Sequence, residues 1–360
     1  ARINPDEAAI FYELGNAQFR SGRFDAARSS YQSCVDIDPY YRNAYYNLGA
    51  TNLQLGDSAQ AMEAFRYATE VKPGFAPAHY RLGSLLREQG ELGAAADALE
   101  RAVELSPEND RFVGRLALVY YDQGNLEKAE SHFATALDQA PRDPVHNYNM
   151  AQTKLDLGKP KEALDYAKRA VELKSSVPKY HYTLGITHEA VGNVDQALSS
   201  LTTAVKRDRE YVKALVELGR LLNEEGMNDQ ALDFLLNAYD REPESVKVNN
   251  NLGSVYLDKE LYQQSIEHYK KAIAKEPNNA GMCYNLALAQ MEANEYDDAE
   301  RTLDEVLKID SQHWNSYFQL GKVLIAKDQS ESAKKILERL LEQNPEYRKR
   351  DQVEELLTGL

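Results

Sequence analysis

The sequence predicts an all-α protein, an α-solenoid in which ten helix–turn–helix repeats stack side by side. Three observations predict this fold: an uninterrupted 34-residue period from residue 8 to residue 347, small residues at two fixed positions of each period, and glycine or proline at two others. The repeats begin at residues 8, 42, 76, 110, 144, 178, 212, 246, 280 and 314. A period of this length holds two helices of about three turns each, and such a unit buries its apolar face only against its neighbours.

The first helix of each repeat is predicted from apolar residues at helical spacing, as in Val113, Leu116 and Tyr120 of the fourth repeat. Position 7 of the repeat is leucine everywhere except Met150, and position 8 is always glycine or alanine. Position 15 is glycine in the first seven repeats. Glycine ends this helix because it adopts the left-handed conformation at least cost.

The second helix carries alanine at position 20 in every repeat except the eighth, which has Ser265. Small residues at positions 8 and 20 let the two helix axes approach to about 8–10 Å. Proline at position 32 of seven repeats ends the second helix, since it donates no N–H and clashes with the preceding turn. Glu260, Asn294 and Asp328 replace the position-15 glycine in the last three repeats, so we expect these repeats to be less stable.

These positions resemble the consensus of the tetratricopeptide repeat family, and the resemblance covers residues 8–347. It implies a right-handed superhelix of ten repeats whose first helices line a concave groove. Ile3 and Pro5 match positions near the end of a repeat, so residues 1–7 are predicted to be the tail of a preceding one. Residues 348–360 are predicted to form a capping helix, which covers the last repeat through an apolar stripe of Val353, Leu356, Leu357 and Leu360.

The charge of the chain argues against several functions. A formal net charge of −15 disfavours general nucleic-acid binding, which depends on neutralising phosphates, and disfavours anionic membranes. No apolar run approaches the ~18 residues of a spanning helix, and no signal peptide is visible. A cytoplasmic location is favoured, with the bacterial periplasm as an alternative. Cys34 and Cys283 fall at packing positions, so neither a disulfide nor a metal site is predicted from them.

No catalytic or cofactor-binding constellation is present in the sequence. It contains no HExxH, GxSxG or CxxC motif and no glycine-rich phosphate loop. His181 and His188 share one helix face but stand at positions that pack between helices. We therefore predict a protein that is not an enzyme, with no cofactor and no metal.

The groove that the resemblance implies is formed by positions 2, 5, 6, 9, 12 and 13 of the first helices. Position 5 is aromatic in seven repeats, and position 6 carries a row of asparagines, whose amides can pair with any peptide backbone. Whether the tyrosines contact a ligand or only pack within the scaffold stays open at this stage. The candidate groove residues are Tyr46, Asn47, Tyr80, Arg81, Arg111, Arg115, Tyr148, Asn149, Tyr182, Lys213, Arg220, Lys247, Asn251 and Asn285.

The distribution of charge in this groove predicts which kind of ligand it binds. Positions 2, 5, 6 and 9 hold eight basic residues against two acids, whereas positions 12 and 13 are mainly acidic. A basic floor with one acidic edge predicts an extended or acidic peptide as ligand. The strongest candidate is the group of Arg81, Arg111 and Arg115, with Gly114 leaving room above the guanidiniums. The flanking residues are Tyr80 and Tyr148, and Arg87 lies nearby.

The first functional hypothesis is a non-catalytic scaffold that binds a peptide segment of a partner protein in its groove. The second is the substrate-recruiting array of a larger enzyme such as a glycosyltransferase, which the tail-like start of the sequence leaves open. The asparagine row is similar to the ladder in the repeat domain of O-linked N-acetylglucosamine transferase. The third is a self-associating module that forms a homo-oligomer. A carboxylate clamp of the co-chaperone type is disfavoured, since Tyr12 and Pro77 replace both of its lysines.

Overall fold

A computed structural model describes residues 5–41 and 43–360 of the chain, and it is helical throughout. These residues form 21 α-helices and no strand, which confirms the all-α repeat fold that the 34-residue period predicts. Residues 1–4, including Ile3 of the predicted tail, lie outside the described residues. Helix α1 begins at Pro5. None of the described helices is both long enough and apolar enough to cross a lipid bilayer.

The chain divides into two compact units, which are described separately here. Unit 1 comprises residues 1–176 and 190–192, and unit 2 comprises residues 177–189 and 193–360. The helices of repeats 1–5 are α1 Pro5–Arg20, α2 Phe24–Ile37, α3 Ala44–Gln54, α4 Ser58–Val71, α5 Ala76–Glu88, α6 Leu92–Leu105, α7 Asp110–Asp122, α8 Leu126–Gln139, α9 Pro144–Asp156 and α10 Pro160–Leu173. The helices that follow are α11 Pro178–Ala190, α12 Val194–Arg207, α13 Val212–Glu224, α14 Asn228–Tyr239, α15 Val246–Asp258, α16 Tyr262–Lys275, α17 Ala280–Glu292, α18 Tyr296–Ile309, α19 Trp314–Ala326, α20 Ser330–Gln343 and α21 Arg350–Thr358.

The two helices of a hairpin approach closely at position 8. A Cβ built on Gly83 would lie 2.6 Å from Cγ of Leu99, and one on Gly219 would lie 2.6 Å from Cγ of Leu235. Leu99 and Leu235 both stand at position 24 and are fully buried. The small residue at position 8 is therefore needed because a large position-24 side chain packs directly on the backbone of the first helix.

The turns within the hairpins use the left-handed conformation at position 15. The seven glycines there, from Gly22 to Gly226, have φ between 69° and 82°. Glu260, Asn294 and Asp328 adopt the same conformation with φ of 59°, 59° and 58°. The sequence-based assignment of these three residues to a strained turn is thus confirmed, since a left-handed conformation disfavours any residue with a Cβ.

Helix α21 covers the second helix of the tenth repeat. Val353 is fully buried and packs in one cluster with Leu337, Leu340 and Tyr347. Leu356 and Leu357 of the predicted stripe are partly buried against this cluster, whereas Leu360 stays 38% exposed. The last hairpin therefore does not present its apolar face to water.

Candidate functional site

The aromatic residues at position 5 pack against aromatic residues that stand just before or within the next first helix. Most of these partners occupy position 34 of the same repeat, the last residue before the next unit. In unit 1 the ring centroids lie 5.0 Å apart for Tyr12 and Tyr41, and 5.2 Å for Tyr46 and Phe75. Tyr80 instead stacks on Phe112 at 4.8 Å.

Unit 2 repeats this aromatic pair. The centroid distances are 5.5 Å for Tyr182 with Tyr211, 4.8 Å for Tyr284 with His313 and 6.2 Å for Phe318 with Tyr347. Tyr148 is half-buried and takes part in an interaction within the protein. These rings therefore pack within the scaffold, which partly covers their faces, and their contact with a ligand stays a prediction.

Three repeats lack an aromatic residue at both position 5 and position 34, and we call them the open repeats. The fourth has Gly114 at position 5 and Asp143 at position 34. The seventh has Val216 and Ser245, and the eighth has Asn250 and Asn279. The third and fifth repeats lack an aromatic residue only at position 34, so the groove lacks both rings only in the open repeats. Two cavities lie at these repeats, one in each unit.

The cavity of unit 1, the basic cavity, has a volume of about 240 Å³. Two of the predicted arginines, Arg111 and Arg115, line it together with Tyr80. Arg115 places its guanidinium carbon 5.9 Å from the centre of the Tyr80 ring, a distance at which a cation is attracted to the ring face. Arg81 and Tyr148 do not line this cavity, so the structure brings together only part of the group that the sequence proposed.

Gly114 lines the basic cavity together with both arginines, and His146 occupies part of the space beside it. A Cβ at Gly114 would lie 2.4 Å from Cε1 of His146, so the imidazole fills the place that tyrosine takes elsewhere. His146 is 7% exposed and its Nε2 lies 3.0 Å from Oδ2 of Asp110. Its Nδ1 is buried and has no hydrogen-bond partner among the described residues. The histidine thus forms the floor of the basic cavity.

Asp110, Asp143 and His146 are the candidate metal ligands of the described residues, with ligand atoms within 4.8 Å of one another. Each has a role within the protein. Oδ1 of Asp143 accepts the backbone N–H groups of Val145 and His146 at 2.7 and 2.9 Å and so caps helix α9. Two guanidiniums also line the same cavity and disfavour a cation there. The cluster is better explained by helix capping and by the orientation of His146.

The basic residues of the groove differ in whether they are neutralised. Arg111, Arg115 and Arg81 form no ion pair with any described residue, and neither do Lys213 and Lys247. Arg81, Arg111, Lys213 and Lys247 are exposed, and Arg115 is half-buried. These side chains therefore keep their charge available to a ligand.

Arg220 behaves differently, because three carboxylates surround it. Its nitrogens lie 2.6 Å from Glu189, 2.9 Å from Glu217 and 2.8 Å from Glu224. The three carboxylates raise the pKa of Arg220 further above its ordinary value, against the opposing effect of burial. The sequence counted Arg220 as a groove cation, but it is an internal counter-ion and contributes no free positive charge.

Some carboxylates of the acidic edge at positions 12 and 13 already bind side chains of the neighbouring repeat. Asp122 pairs with Arg87 at 2.5 Å, Tyr121 donates its hydroxyl proton to Asp156, and Asn223 donates to Asp258 at 2.6 Å. Each bond joins position 12 of one repeat to position 13 of the next. Arg87 is therefore neutralised, whereas Arg111 and Arg115 are not.

The asparagines of position 6 also separate into two groups. Asn47 donates to the Tyr12 hydroxyl at 3.1 Å and to Oδ1 of Asn16 at 3.0 Å, so its amide is used within the scaffold. Asn149 is 7% exposed, lines the basic cavity and makes no side-chain hydrogen bond with the described residues. Its amide therefore remains available to a bound molecule.

The cavity of unit 2, the amide cavity, has a volume of about 520 Å³ and lies at repeats 7–9. Four asparagines line it, of which the sequence singled out Asn251 and Asn285 and missed Asn250 and Asn279. One signal could have revealed them. Aromatic residues are lost at positions 5 and 34 of the same repeat, a coincidence that marks where the groove lacks its usual rings.

Comparison with known proteins gives matches along the whole array. The family model for the cilia and flagella-associated protein 70 C-terminal domain matches residues 7–214, which is more than half of the chain. Three tetratricopeptide repeat models match residues 224–280, 256–318 and 315–347. No curated protein matches the sequence.

Several solved structures share the fold at low sequence identity. A chain of the APC/C hetero-tetramer Cut9-Hcn1 is 18% identical with a TM-score of 0.55, over 98% of this chain and 76% of that one. Pseudomonas aeruginosa pilF is 22% identical with a TM-score of 0.52, over 57% of this chain and 94% of that one. A tetratricopeptide repeat protein from Parabacteroides merdae is 17% identical with a TM-score of 0.51, over 69% and 97%. At these identities the likeness concerns the fold alone.

Proposed function

Because this chain belongs to the family of the cilia and flagella-associated protein 70 C-terminal domain, and carries tetratricopeptide repeats along its length, we propose that it is a non-catalytic scaffold that binds an acidic segment of a partner protein. Proteins built from these repeats generally serve as interaction scaffolds. The matched family is named for association with cilia and flagella, which makes proteins of these organelles the first candidates for the partner.

The proposal that the bound segment is acidic rests on one observation. Arg111 and Arg115 line the basic cavity without an ion pair among the described residues, whereas the two acids of the cavity have partners within the protein. Asp110 lies 3.0 Å from Nε2 of His146, and Asp143 accepts two backbone N–H groups of helix α9. Guanidinium groups form forked hydrogen bonds with carboxylates, and Asn149 beside them offers a donor and an acceptor to the peptide backbone. An acidic side chain placed between the two arginines would lie next to the ring of Tyr80.

A binding experiment on the full chain tests this proposal. The probe is an acetylated, amidated decapeptide of alternating glutamate and serine, titrated against the protein and against Arg111→Gln/Arg115→Gln. We expect the double substitution to weaken binding at least tenfold, which corresponds to about 1.4 kcal/mol. Raising the salt should weaken binding to the unsubstituted protein, since exposed charges are screened beyond about 8–10 Å at physiological ionic strength.

The matched control is Lys213→Gln, because Lys213 is an exposed groove cation of unit 2 without an ion pair among the described residues. Its affinity should stay within about twofold of the unsubstituted protein, a difference of about 0.4 kcal/mol. Equal, small losses in the control and in the double variant would mean that the groove attracts acidic peptides only through its general charge. The proposed site would then be wrong.

A further inference from the structure

The amide cavity of unit 2 has a composition unlike that of the basic cavity. It lies where two open repeats adjoin, so the aromatic pair is missing from repeats 7 and 8 in succession. Val216 and Met282 contribute apolar surface and are themselves 5% and 6% exposed. Asn250, Asn251 and Asn285 contribute side-chain amides. The cavity therefore combines apolar walls with several neutral hydrogen-bonding groups.

The amides of this cavity have unused hydrogen-bonding capacity. Oδ1 of Asn250 is buried and has no partner among the described residues. The side chains of Asn251 and Asn285 are half-buried and make no hydrogen bond with any described residue. The amides of Asn251 and Asn285, which are only partly covered, can therefore both donate to and accept from a bound molecule.

The charges around the cavity cancel. Lys247 and Arg220 line it together with Glu217 and Glu276, two positive groups against two negative ones. Arg220 is already held by three carboxylates, of which Glu217 is one. A charged segment would thus gain little Coulomb energy and would lose more hydration than an uncharged segment, whose backbone groups can be compensated by the asparagine amides.

The repeat spacing selects a backbone conformation for the ligand. Asn251 and Asn285 occupy the same position in successive repeats, whose first helices pack side by side at about 8–10 Å. A polyproline-II segment advances 3.1 Å per residue and returns to the same face every three residues, after about 9.3 Å. A β-strand turns alternate residues to opposite faces and matches this spacing less well.

We propose that the amide cavity of repeats 7–9 binds an uncharged polypeptide segment in the polyproline-II conformation. Asn251 and Asn285 hydrogen-bond its main chain about every third residue, and an apolar side chain lies between Val216 and Met282. This site is in a different unit from the basic cavity and selects a different chemistry. It stands whether or not unit 1 binds an acidic segment.

The experiment follows the side-chain amide signals of the isotopically labelled full chain by NMR. The probe is an acetylated, amidated nonapeptide made of three serine-leucine-proline triplets, which places leucine on one face of a polyproline-II helix. We expect saturable shifts of the Asn250, Asn251 and Asn285 amide signals. The dissociation constant should change less than twofold between about 0.05 and about 0.5 M NaCl, because no ion pair is formed.

Two variants separate recognition from folding. Asn250→Tyr restores the position-5 ring of the other repeats and closes the cavity, so binding should weaken at least tenfold. Asn279 is left in place because its side chain accepts the backbone N–H of Met282 and caps helix α17, so the melting temperature should be retained. Asn251→Ala should also weaken binding. The control Asn278→Ala removes an exposed asparagine that does not line the cavity and should leave the affinity unchanged.

Several outcomes would overturn the proposal. One is equal affinity in the protein and the closed variant. Another is tighter binding, with the same amide shifts, by a nonapeptide in which aspartate replaces leucine. A third is the absence of saturable shifts in unit 2 at peptide concentrations of about 5 mM, where even a weak complex of about −4 kcal/mol would form. Binding of the glutamate-serine decapeptide to unit 1 is read from the Asn149 signal and would be unaffected by any of these results.

Discussion

Glu260 ends the first helix of the eighth repeat in a conformation that suits glycine. Its φ is 59°, whereas the equivalent residue of the seventh repeat is Gly226 with a φ of 74°. The side chain of Glu260 is exposed and forms no ion pair or hydrogen bond with any described residue. Replacing it with glycine therefore removes strain without removing a contact, and we predict that Glu260→Gly stabilises the repeat.

The expected gain follows from two opposing effects. The left-handed conformation costs a residue with a Cβ roughly 1–2 kcal/mol. Glycine loses more conformational entropy on folding, which offsets about 0.4–1 kcal/mol of this. The net stabilisation should be about 0.5–1 kcal/mol, which slows exchange through local opening about two- to fivefold.

Hydrogen exchange measured by mass spectrometry is the appropriate assay, on peptides from residues 246–280 for Glu260→Gly and from residues 212–245 for its control. Global unfolding of a repeat array mixes several steps and would dilute a local effect. The control is Glu225→Gly, one residue before Gly226, where φ is −86° and no ion pair with a described residue is lost. Glycine there should destabilise by about 0.5–1 kcal/mol. Unchanged or faster exchange in Glu260→Gly, together with slower exchange in Glu225→Gly, would refute the argument from backbone conformation.

Three further predictions concern stability. Amide exchange should be faster in residues 246–347 than in residues 42–230, because Glu260, Asn294 and Asp328 all carry the strained turn; slower exchange in the later segment would contradict this. Gly219→Ala should lower the free energy of unfolding by about 1–3 kcal/mol in a urea titration, since its Cβ would lie 2.6 Å from Leu235. The control Gly93→Ala, with no atom within 4 Å of the added Cβ, should stabilise its helix by about 0.8–1 kcal/mol. Burial is the main reason why the pKa values of His132 and His268 lie below the ordinary 6.5. Between 6.5 and these lower folded-state values the unfolded chain binds more protons than the folded chain. The free energy of unfolding should therefore fall as the pH drops from 6.5 through this range. Urea titrations at about pH 7.5 and about pH 5.5 should show this loss, and His132→Gln/His268→Gln should reduce it.

The sequence alone determined the repeat length, the helix ends and the turns. The helix ends and the turns depend on local backbone chemistry, because glycine at position 15 and proline at position 32 act within a few residues of their own place in the chain. The small residue at position 8 acts across the hairpin on position 24, and the sequence shows it because it recurs in every repeat. Even the left-handed conformation of Glu260 follows from its alignment with seven glycines. Residue types at fixed spacing were therefore sufficient for the fold.

The tertiary structure alone decided which groove residues can act on a ligand. Arg115 and Arg220 look alike in the sequence, but Arg220 is neutralised by Glu189 of the preceding repeat and by two acids of its own helix, whereas Arg115 is not neutralised by any described residue. His146, 32 residues after Gly114, packs against it and lines the same cavity as the two arginines, which the sequence did not indicate. Such outcomes depend on side chains brought together from successive repeats, and their geometry is set by how the helices pack.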